Sequence, residues 1–455
     1  MPGHRPLDFG GASRLIAAVA GLAAGLLLNG TAANAVPAFA VQTGAPCQSC
    51  HVGGFGPQLT PFGRNFKLHG YTARAGDSYN LPVSMMAEAS YVSTNKPQAA
   101  PPAPYFGTND NLGLDQVSLF IAGGLGEHLG AFIQNTYDGI GRSWSWDNTD
   151  IRAVFDTTIA KADVLLGLSV NNNPTVQDAW NSTPAWGYPY SGSALAPGGP
   201  AAPLLQGGLA QNSVGLTGYA WINSKVFLEA GGYVSPGSKL VSRLGADPTS
   251  PGNIKGIAPY GRATYQTDLW GGTAEVGAAA IDAIVEPGLD ASSGATDRDR
   301  ALAIDASFYR AFDNGDTFTL NTAVTQEKQN LDASYFLGNS GNQKNNLTDL
   351  RADAAYFWKN RVGVTVQGFN TTGTPDALLY ASDRTLKPDT SGLMAELSAT
   401  PWGAGTSPFG PRMNMRLGVQ YTYYLKFNGA RDNTDGAGAK ASDNNTLRLY
   451  AWFAY

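Results

Sequence analysis

Residues 412–427 alternate between polar and apolar side chains over eight consecutive pairs, with Tyr424 counted in the polar set. The stretch reads Arg412-Met413-Asn414-Met415-Arg416-Leu417-Gly418-Val419-Gln420-Tyr421-Thr422-Tyr423-Tyr424-Leu425-Lys426-Phe427. Successive side chains of an extended chain point to opposite faces, so a period of two predicts a β-strand with one apolar and one polar face.

The same period recurs along much of the chain. Similar runs cover residues 164–170, 214–216, 226–230, 302–308, 318–324, 350–358 and 362–366. After residue 40, no apolar run approaches the ~20 residues that a membrane helix needs. Charged residues make up only 14% of the 455, and 30 Lys and Arg nearly balance 35 Asp and Glu. The composition therefore excludes a helical membrane protein and a basic nucleic-acid binder, while many two-faced strands favour a transmembrane β-barrel.

The connections between the candidate strands alternate in length. Short connections are expected at 127–128, 160–161, 223–224, 267–268, 313–316, 359–360 and, somewhat longer, 402–411. Long connections are expected at 93–110, 139–148, 171–210, 236–254, 281–297, 328–345, 371–389 and 428–444. This alternation is typical of barrels with short periplasmic turns and long external loops.

The protein is therefore predicted to be mainly β. Residues 81–455 are expected to form an antiparallel outer-membrane barrel of about 16 strands, in contact with outer-membrane lipid. Both termini would lie in the periplasm of a Gram-negative bacterium. The last run alternates up to the aromatic Tyr455, which fits a closing strand. A soluble β-sandwich is the alternative.

The first residues predict export. Arg5 and Arg14 precede an apolar stretch over residues 15–28, which is too short to span a bilayer comfortably. Two small-residue cleavage sites follow, Ala33-Asn34-Ala35 and Ala38-Phe39-Ala40. Residues 1–40 are therefore predicted to be a signal peptide that is removed.

The only two cysteines, Cys47 and Cys50, precede His51 in the run Cys47-Gln48-Ser49-Cys50-His51. A Cys-x-x-Cys-His run is the attachment site of a c-type haem, in which the thiols bond the porphyrin and the imidazole binds the iron. The alternative is a small disulfide loop beside an incidental His. Export and the absence of other cysteines favour one covalent haem c on Cys47 and Cys50, with His51 as proximal ligand.

A short helix is predicted after this run, ending at Gly70. Phe62, Phe66 and His69 share its spacing, so this face is expected to meet the porphyrin. His69 is the predicted distal iron ligand, Met85 or Met86 is the alternative, and an open sixth position is a third outcome. His128 is expected to be a solvated turn residue.

The order of these motifs carries a resemblance. The Cys-x-x-Cys-His run followed by Phe62-Gly63-x-x-Phe66-Lys67-x-x-Gly70-Tyr71 resembles the fused outer-membrane monohaem c-type cytochrome and porin family, as in iron-oxidising bacteria. The similarity covers residues 44–71. It implies an electron conduit that oxidises extracellular ferrous iron and passes electrons to a periplasmic electron-carrier protein. A diffusion porin, with the haem as structural plug or redox sensor, is the competing interpretation.

Residues 41–80 form the predicted cytochrome segment. About 40 residues are too few for an independent core, so the segment is expected to plug or cap the barrel from the periplasmic end. The loop at 171–210 is too long for a plain tether and is expected to fold on itself or into the lumen.

The remaining charged residues predict no further catalytic site. Arg351, Arg412 and Arg416 are expected to face the lumen and to pair with Asp349, Asp353 or the haem propionates. Acidic residues of the outer loops could attract ferrous iron, although solvated loop charge is the simpler interpretation. They are Glu286, Asp290, Asp297 and Asp299.

Overall fold

The computed structural model describes residues 37–76, 82–405, 407–408 and 413–455. Within these ranges, sixteen long strands make one antiparallel sheet, numbered in chain order. They are β1 Val83–Thr94, β2 Asn111–Gly124, β3 Leu129–Asp138, β4 Ser143–Ile159, β5 Ala162–Asn171, β6 Val214–Ile222, β7 Val226–Val234, β8 Ala258–Leu269, β9 Gly272–Pro287, β10 Asp297–Ala311, β11 Thr317–Leu331, β12 Lys344–Trp358, β13 Val362–Gly373, β14 Thr390–Ala399, β15 Asn414–Lys426 and β16 Thr446–Ala454. A three-residue strand, Gly252–Ile254, extends the sheet beside the end of β9.

The sheet closes on itself. β1 pairs antiparallel with β16, from Met86 opposite Ala454 to Thr94 opposite Thr446. Each of the other strands pairs with its neighbours in sequence order. Closure leaves no unpaired strand edge, which is the condition for a sheet to stand in lipid. The predicted barrel of about 16 strands is confirmed.

The two faces of the wall differ as the alternation predicts. In β15, Val419 and Tyr421 are exposed on the outside, while Gln420 and Thr422 are buried on the inside. Leu168, Leu216 and Ile304 are among the large apolar side chains that other strands expose outward.

The short connections lie at one end of the barrel. Ala160-Lys161, Asn223-Ser224, Trp270-Gly271 and Lys359-Asn360 each have positive φ at both residues, the backbone of a tight two-residue hairpin turn. Three of these turns are where the sequence predicts them. The fourth lies at 270–271 instead of 267–268.

Several long loops are shorter than predicted because strands continue into them. β4 begins at Ser143 inside the predicted loop 139–148, and β9 continues to Pro287 inside the predicted loop 281–297. In β9 the lumen-facing side chains Ile281, Ala283 and Val285 are apolar and pack against a loop inside the barrel. The inner face is therefore apolar there and not polar as expected, which hid the strand in the sequence.

In the described ranges the helices are short, and they lie in the parts of the chain that precede or connect the wall strands. Among the described residues none is long and apolar enough to cross a membrane. They are α1 Pro37–Thr43, α2 Cys47–Cys50, α3 Pro61–Leu68, α4 Ser238–Arg243 and α5 Asp332–Phe336, with 3-10 turns at Val52–Gly54, Leu204–Gln206 and Ala441–Asn444.

Residues 37–76, here called the N-terminal segment, plug the barrel at the end with the short turns. Gly53 abuts Phe357, and Gly54 abuts Gly403, both close to such turns. On another part of the wall, the Tyr219 hydroxyl donates to the Leu68 carbonyl at 2.6 Å. The segment therefore occupies the position that its small size demands, with the wall completing its core.

Residues 172–213, here called the lumen loop, fill more of the interior. Val176, Ala179 and Trp180 are at most 3% exposed. The loop reaches strands on the far side of the barrel, where Ser182 Oγ donates to Asp305 at 2.6 Å and Gln206 Nε2 donates to Asp349 at 2.9 Å. The loop thus folds into the lumen, one of the two placements expected from its length.

Candidate cofactor site

The cysteine run forms one helical turn. The His51 N–H donates to the Cys47 carbonyl at 2.8 Å, which closes α2. Cys47, Cys50 and His51 line the same cavity of about 130 Å³. The three residues expected to hold haem c therefore converge on one cavity.

The cavity wall is largely apolar and comes from three parts of the chain. α1 contributes Phe39 and Ala40, the helix α3 region contributes Phe66 and Tyr71, and the lumen loop closes another side. The loop residues are Val176, Asn181 and Trp186. A wall of this kind suits a flat, mostly apolar ring system.

The ionisation of the site fits iron ligation by His51. Burial, followed by the positive charge of Arg416, lowers the pKa of His51 to about 4, so the imidazole is neutral at pH 7. A neutral imidazole is the form that binds a metal. Its Nδ1 atom is buried without a hydrogen bond of acceptable geometry. Burial and the neighbouring Cys47 raise the pKa of Cys50 to about 11, which argues against a reactive thiolate site.

The helix α3 is fixed against the cysteine turn. Thr60 is its N-cap, since its Oγ1 accepts from Gly63 N at 3.2 Å, and the Thr60 N–H donates to the Cys50 carbonyl at 2.9 Å. A Cβ at Gly63 would collide with that same carbonyl oxygen. Glycine at this position is therefore a packing requirement of the motif.

Helix α1 crosses the predicted end of the signal peptide at residue 40. Phe39 stacks on Tyr71 with ring centroids 5.1 Å apart and meets the Phe66 ring edge-on at 5.0 Å. Ala38 and Ala40 are each only 5% exposed. Residues on both sides of position 40 thus belong to the cavity wall, while residues 1–36 lie outside the described residues.

The structure does not bring His69 to this cavity. Helix α3 ends at Leu68, and His69 Nδ1 lies 2.8 Å from the Asn65 carbonyl oxygen. Its Nε2 lies 3.6 Å from Asp156 Oδ1 on the wall. Phe62 also points away and is 51% exposed, so of the expected face only Phe66 lines the cavity.

A second cavity, of about 320 Å³, adjoins the first. The two share five lining residues, Phe39, His51, Pro57, Phe132 and Trp186. Met85 and Met86 line the second cavity. Met86 is the inward-facing one, and its sulfur accepts from Trp452 Nε1 at 3.2 Å, whereas Met85 is 40% exposed. Met86 therefore shares a cavity with His51, which His69 does not.

Lys67 is a cavity residue for which the sequence analysis made no prediction. Its ammonium group donates to the lumen-loop carbonyls of Val176 at 2.6 Å and Asp178 at 2.8 Å. Burial and the nearby Arg152 lower its pKa to about 8. Its position in the motif Phe66-Lys67 is the only sequence feature that could have indicated it.

Strand β15 also holds the cysteine turn. Asn414 Nδ2 donates to Cys47 Sγ at 3.0 Å and to the Gly54 carbonyl at 2.9 Å. Arg416 Nη2 donates to the Phe55 carbonyl at 2.7 Å, so this arginine contacts the N-terminal segment instead of Asp349 or Asp353. Arg351 forms the expected ion pair with Asp349 at 3.0 Å. Arg412 lies outside the described residues.

No protein-family model and no curated protein matches the chain. Its fold is similar to several solved outer-membrane proteins. The anion-selective porin from Comamonas acidovorans is 12% identical, with a TM-score of 0.45, over 82% of this chain and 98% of that one. The channel DcaP of Acinetobacter baumannii is 13% identical, with a TM-score of 0.43, over 85% and 99%. Pseudomonas putida OprB is 12% identical, with a TM-score of 0.46, over 82% and 93%.

These similarities concern the fold alone. The structure itself shows a closed antiparallel β-barrel with an apolar outer face.

Proposed function

We propose that the protein is an outer-membrane electron conduit built around one covalent haem c. Cys47 and Cys50 would hold the porphyrin through thioether bonds, and His51 would bind the iron. The observation that carries the proposal is the convergence of these three residues on one cavity, in a segment that plugs the barrel. When bound, the haem supplies a centre that takes up and releases single electrons.

The chain's own residues prepare the site for this role. Burial keeps the His51 imidazole neutral, and Phe39, Phe66 and Tyr71 keep bulk water from the cavity wall. The hydrocarbon core of a bilayer is about 30 Å thick, so a redox centre inside the barrel shortens the path that an electron must cross. Trp186 of the lumen loop lines both cavities.

The resemblance at residues 44–71 provides the proposed partners. Ferrous iron is the extracellular donor, and a periplasmic electron-carrier protein is the acceptor. The end with the short turns, where the N-terminal segment lies, would face the periplasm. Glu286, which was expected in an outer loop, lies at the end of strand β9 and is paired with Lys255, so it is a weaker candidate for attracting iron.

Met86 is the proposed sixth ligand of the iron. It faces the lumen and lines a cavity together with His51, whereas His69 lies against the wall at Asp156. Thioether ligation favours the reduced iron and raises the reduction potential relative to a second imidazole.

A diffusion porin with a structural haem is the second candidate, because the barrel is porin-like. Its weakness is the interior, where the N-terminal segment and the lumen loop both occupy the described part of the lumen. Tyr188 of the loop, for example, donates to Glu396 on the wall at 3.2 Å. Free diffusion requires an open path, which such contacts narrow.

Intact cells separate the two candidates. An external reductant that cannot cross the membrane is added, and the absorbance of the haem is followed before and after the cells are broken. A conduit is reduced in intact cells, whereas a buried structural haem responds only after lysis. Cells that carry the Cys47→Ala/Cys50→Ala protein are the control for other cytochromes. Lack of any reduction in intact cells would contradict the proposed function.

A further inference from the structure

Arg416 of β15 lies against the backbone that follows His51. Its side chain is buried, at 4% exposure, and Nη2 donates to the Phe55 carbonyl at 2.7 Å. The same nitrogen lies 3.5 Å from the carbonyl oxygens of Val52 and Gly53. Nε donates to Thr400 Oγ1 at 3.3 Å. The guanidinium thus binds the turn that carries the proximal ligand, and each of these acceptors is neutral.

Other buried arginines of the lumen are paired differently. Arg152 pairs with Asp150 at 2.9 Å, Arg262 pairs with Asp305 at 2.9 Å, and Arg448 pairs with Glu88. Within the described ranges, Arg416 forms no ion pair with a carboxylate, and the acceptors of its hydrogen bonds are neutral oxygens. Its positive charge therefore lacks the close carboxylate partner that the other three arginines have.

An uncompensated charge acts strongly in a medium of low dielectric constant, because Coulomb energy scales inversely with that constant. A cation beside a redox centre stabilises the state with the extra electron. Arg416 is held in place by the carbonyls and by the rings of Phe55 and Phe357, whose centroids lie 5.9 Å and 5.5 Å from the guanidinium carbon. The charge is therefore fixed relative to the His51 turn.

We propose that Arg416 is a positioning residue that fixes the turn after His51 and, through its unpaired charge, raises the reduction potential of the cofactor. The inference rests on the proposed haem at Cys47 and Cys50. It assigns to the barrel wall, and not to the haem-binding motif, a part in setting that potential.

The test is a redox titration of the full-length holoprotein in detergent, followed by haem absorbance. Arg416→Gln should keep the haem stain and titrate at a lower potential than the wild type. Arg416→Lys, which keeps the charge, should titrate close to the wild type. Arg351→Gln is the matched control, because it removes a lumen arginine that is already paired with Asp349, and its potential should not change.

A second variant covers the case in which Arg416→Gln does not fold. Thr400→Asp keeps Arg416 and places a carboxylate where Nε now meets a hydroxyl, so it should also lower the potential. If the variants keep the haem stain and titrate at the wild-type potential, the role proposed for Arg416 is overturned, while the proposed haem site is not. An equal fall in Arg416→Lys and Arg416→Gln would overturn the part played by charge. A wild-type protein without haem stain would instead defeat the proposed function.

Discussion

The sequence specifies the barrel wall and the N-terminal segment in different ways. On the wall, outward positions such as Leu168 and Val419 are half-exposed and need only be apolar. In the segment, particular residue types are required at single positions. At Gly63, for example, there is no room for a Cβ beside the Cys50 carbonyl oxygen. The wall is specified by a repeated pattern, and the segment by particular side chains. Apolar substitutions should therefore be tolerated at outward positions of the wall, and substitutions in the segment should be damaging.

The largest effect is expected from the cysteine pair. Cys47→Ala/Cys50→Ala should abolish haem staining of the denatured protein, because no thiol remains to form a thioether bond. The barrel should survive, and the unheated protein should still migrate faster than the boiled protein in a gel. Ser49→Ala in the same turn is the control and should keep its stain. A stain that persists in the double variant would show that the site is misassigned.

The segment and the wall can next be compared by equivalent truncations. Phe66→Ala removes a ring that is 7% exposed and should cost about 3–5 kcal/mol of the segment's stability. Leu168→Ala, on the lipid-facing side, should cost less, about 2 kcal/mol, because it loses apolar contact with lipid but leaves no cavity. Denaturant titrations that follow haem absorbance would measure the first, and the gel shift would report on the barrel. Equal losses of stability in the two variants would contradict the view that the wall depends on a repeated pattern and the segment on particular side chains.

A smaller, spectroscopic effect should identify the sixth ligand. Met86→Leu should remove the long-wavelength absorption band of a sulfur–iron bond and lower the reduction potential, since the thioether is lost. His69→Ala should leave both unchanged, because His69 lies beside Asp156 and outside both cavities. If His69→Ala converts the haem to the high-spin form, the segment must adopt a different arrangement around the iron. If neither variant matters, Lys67 or an open position becomes the better assignment.

The smallest change concerns where the mature chain begins. Helix α1 contributes Ala38, Phe39 and Ala40 to the cavity walls, so removal of residues 1–40 would delete part of the site. We therefore expect cleavage after Ala35, at the first of the two small-residue sites. Mass spectrometry of the intact purified protein should give an N-terminus at Val36. A chain that starts at Val41 and still holds haem would show that Phe39 is dispensable.

The sequence predicts the wall better than the segment for a physical reason. Strand β15 follows from its alternation because each side chain meets either lipid or lumen, and that environment repeats along the barrel. The sequence predicts too short a strand β9, because the inner face of this strand meets the lumen loop. This tertiary contact leaves no periodic pattern in the sequence. The prediction for His69 is also limited by structure that the sequence does not show. His69 has helical spacing with Phe66 in the sequence, but helix α3 ends at Leu68, and His69 does not line the cavity with Phe66.

The contacts of β15 with the cysteine turn could not be predicted at all. Asn414 and Arg416 are polar residues on an inward face, like many others of the barrel. Nothing in their neighbours' sequence distinguishes a residue that binds the segment from one that meets water. Only the three-dimensional placement of the segment shows that these two hold Cys47 and the turn after His51.

The hydrogen bond between Asn414 and Cys47 joins residues 367 positions apart in the chain. Because β15 and β16 are the last strands in sequence, Cys47 can reach its final position only when nearly the whole chain has been exported. In that position its thiol is buried, at 4% exposure, and the wall surrounds it. Enzymes that couple haem to a cysteine need an accessible thiol. Loading of the proposed haem would therefore have to precede barrel closure, so that topology would impose the order of biogenesis.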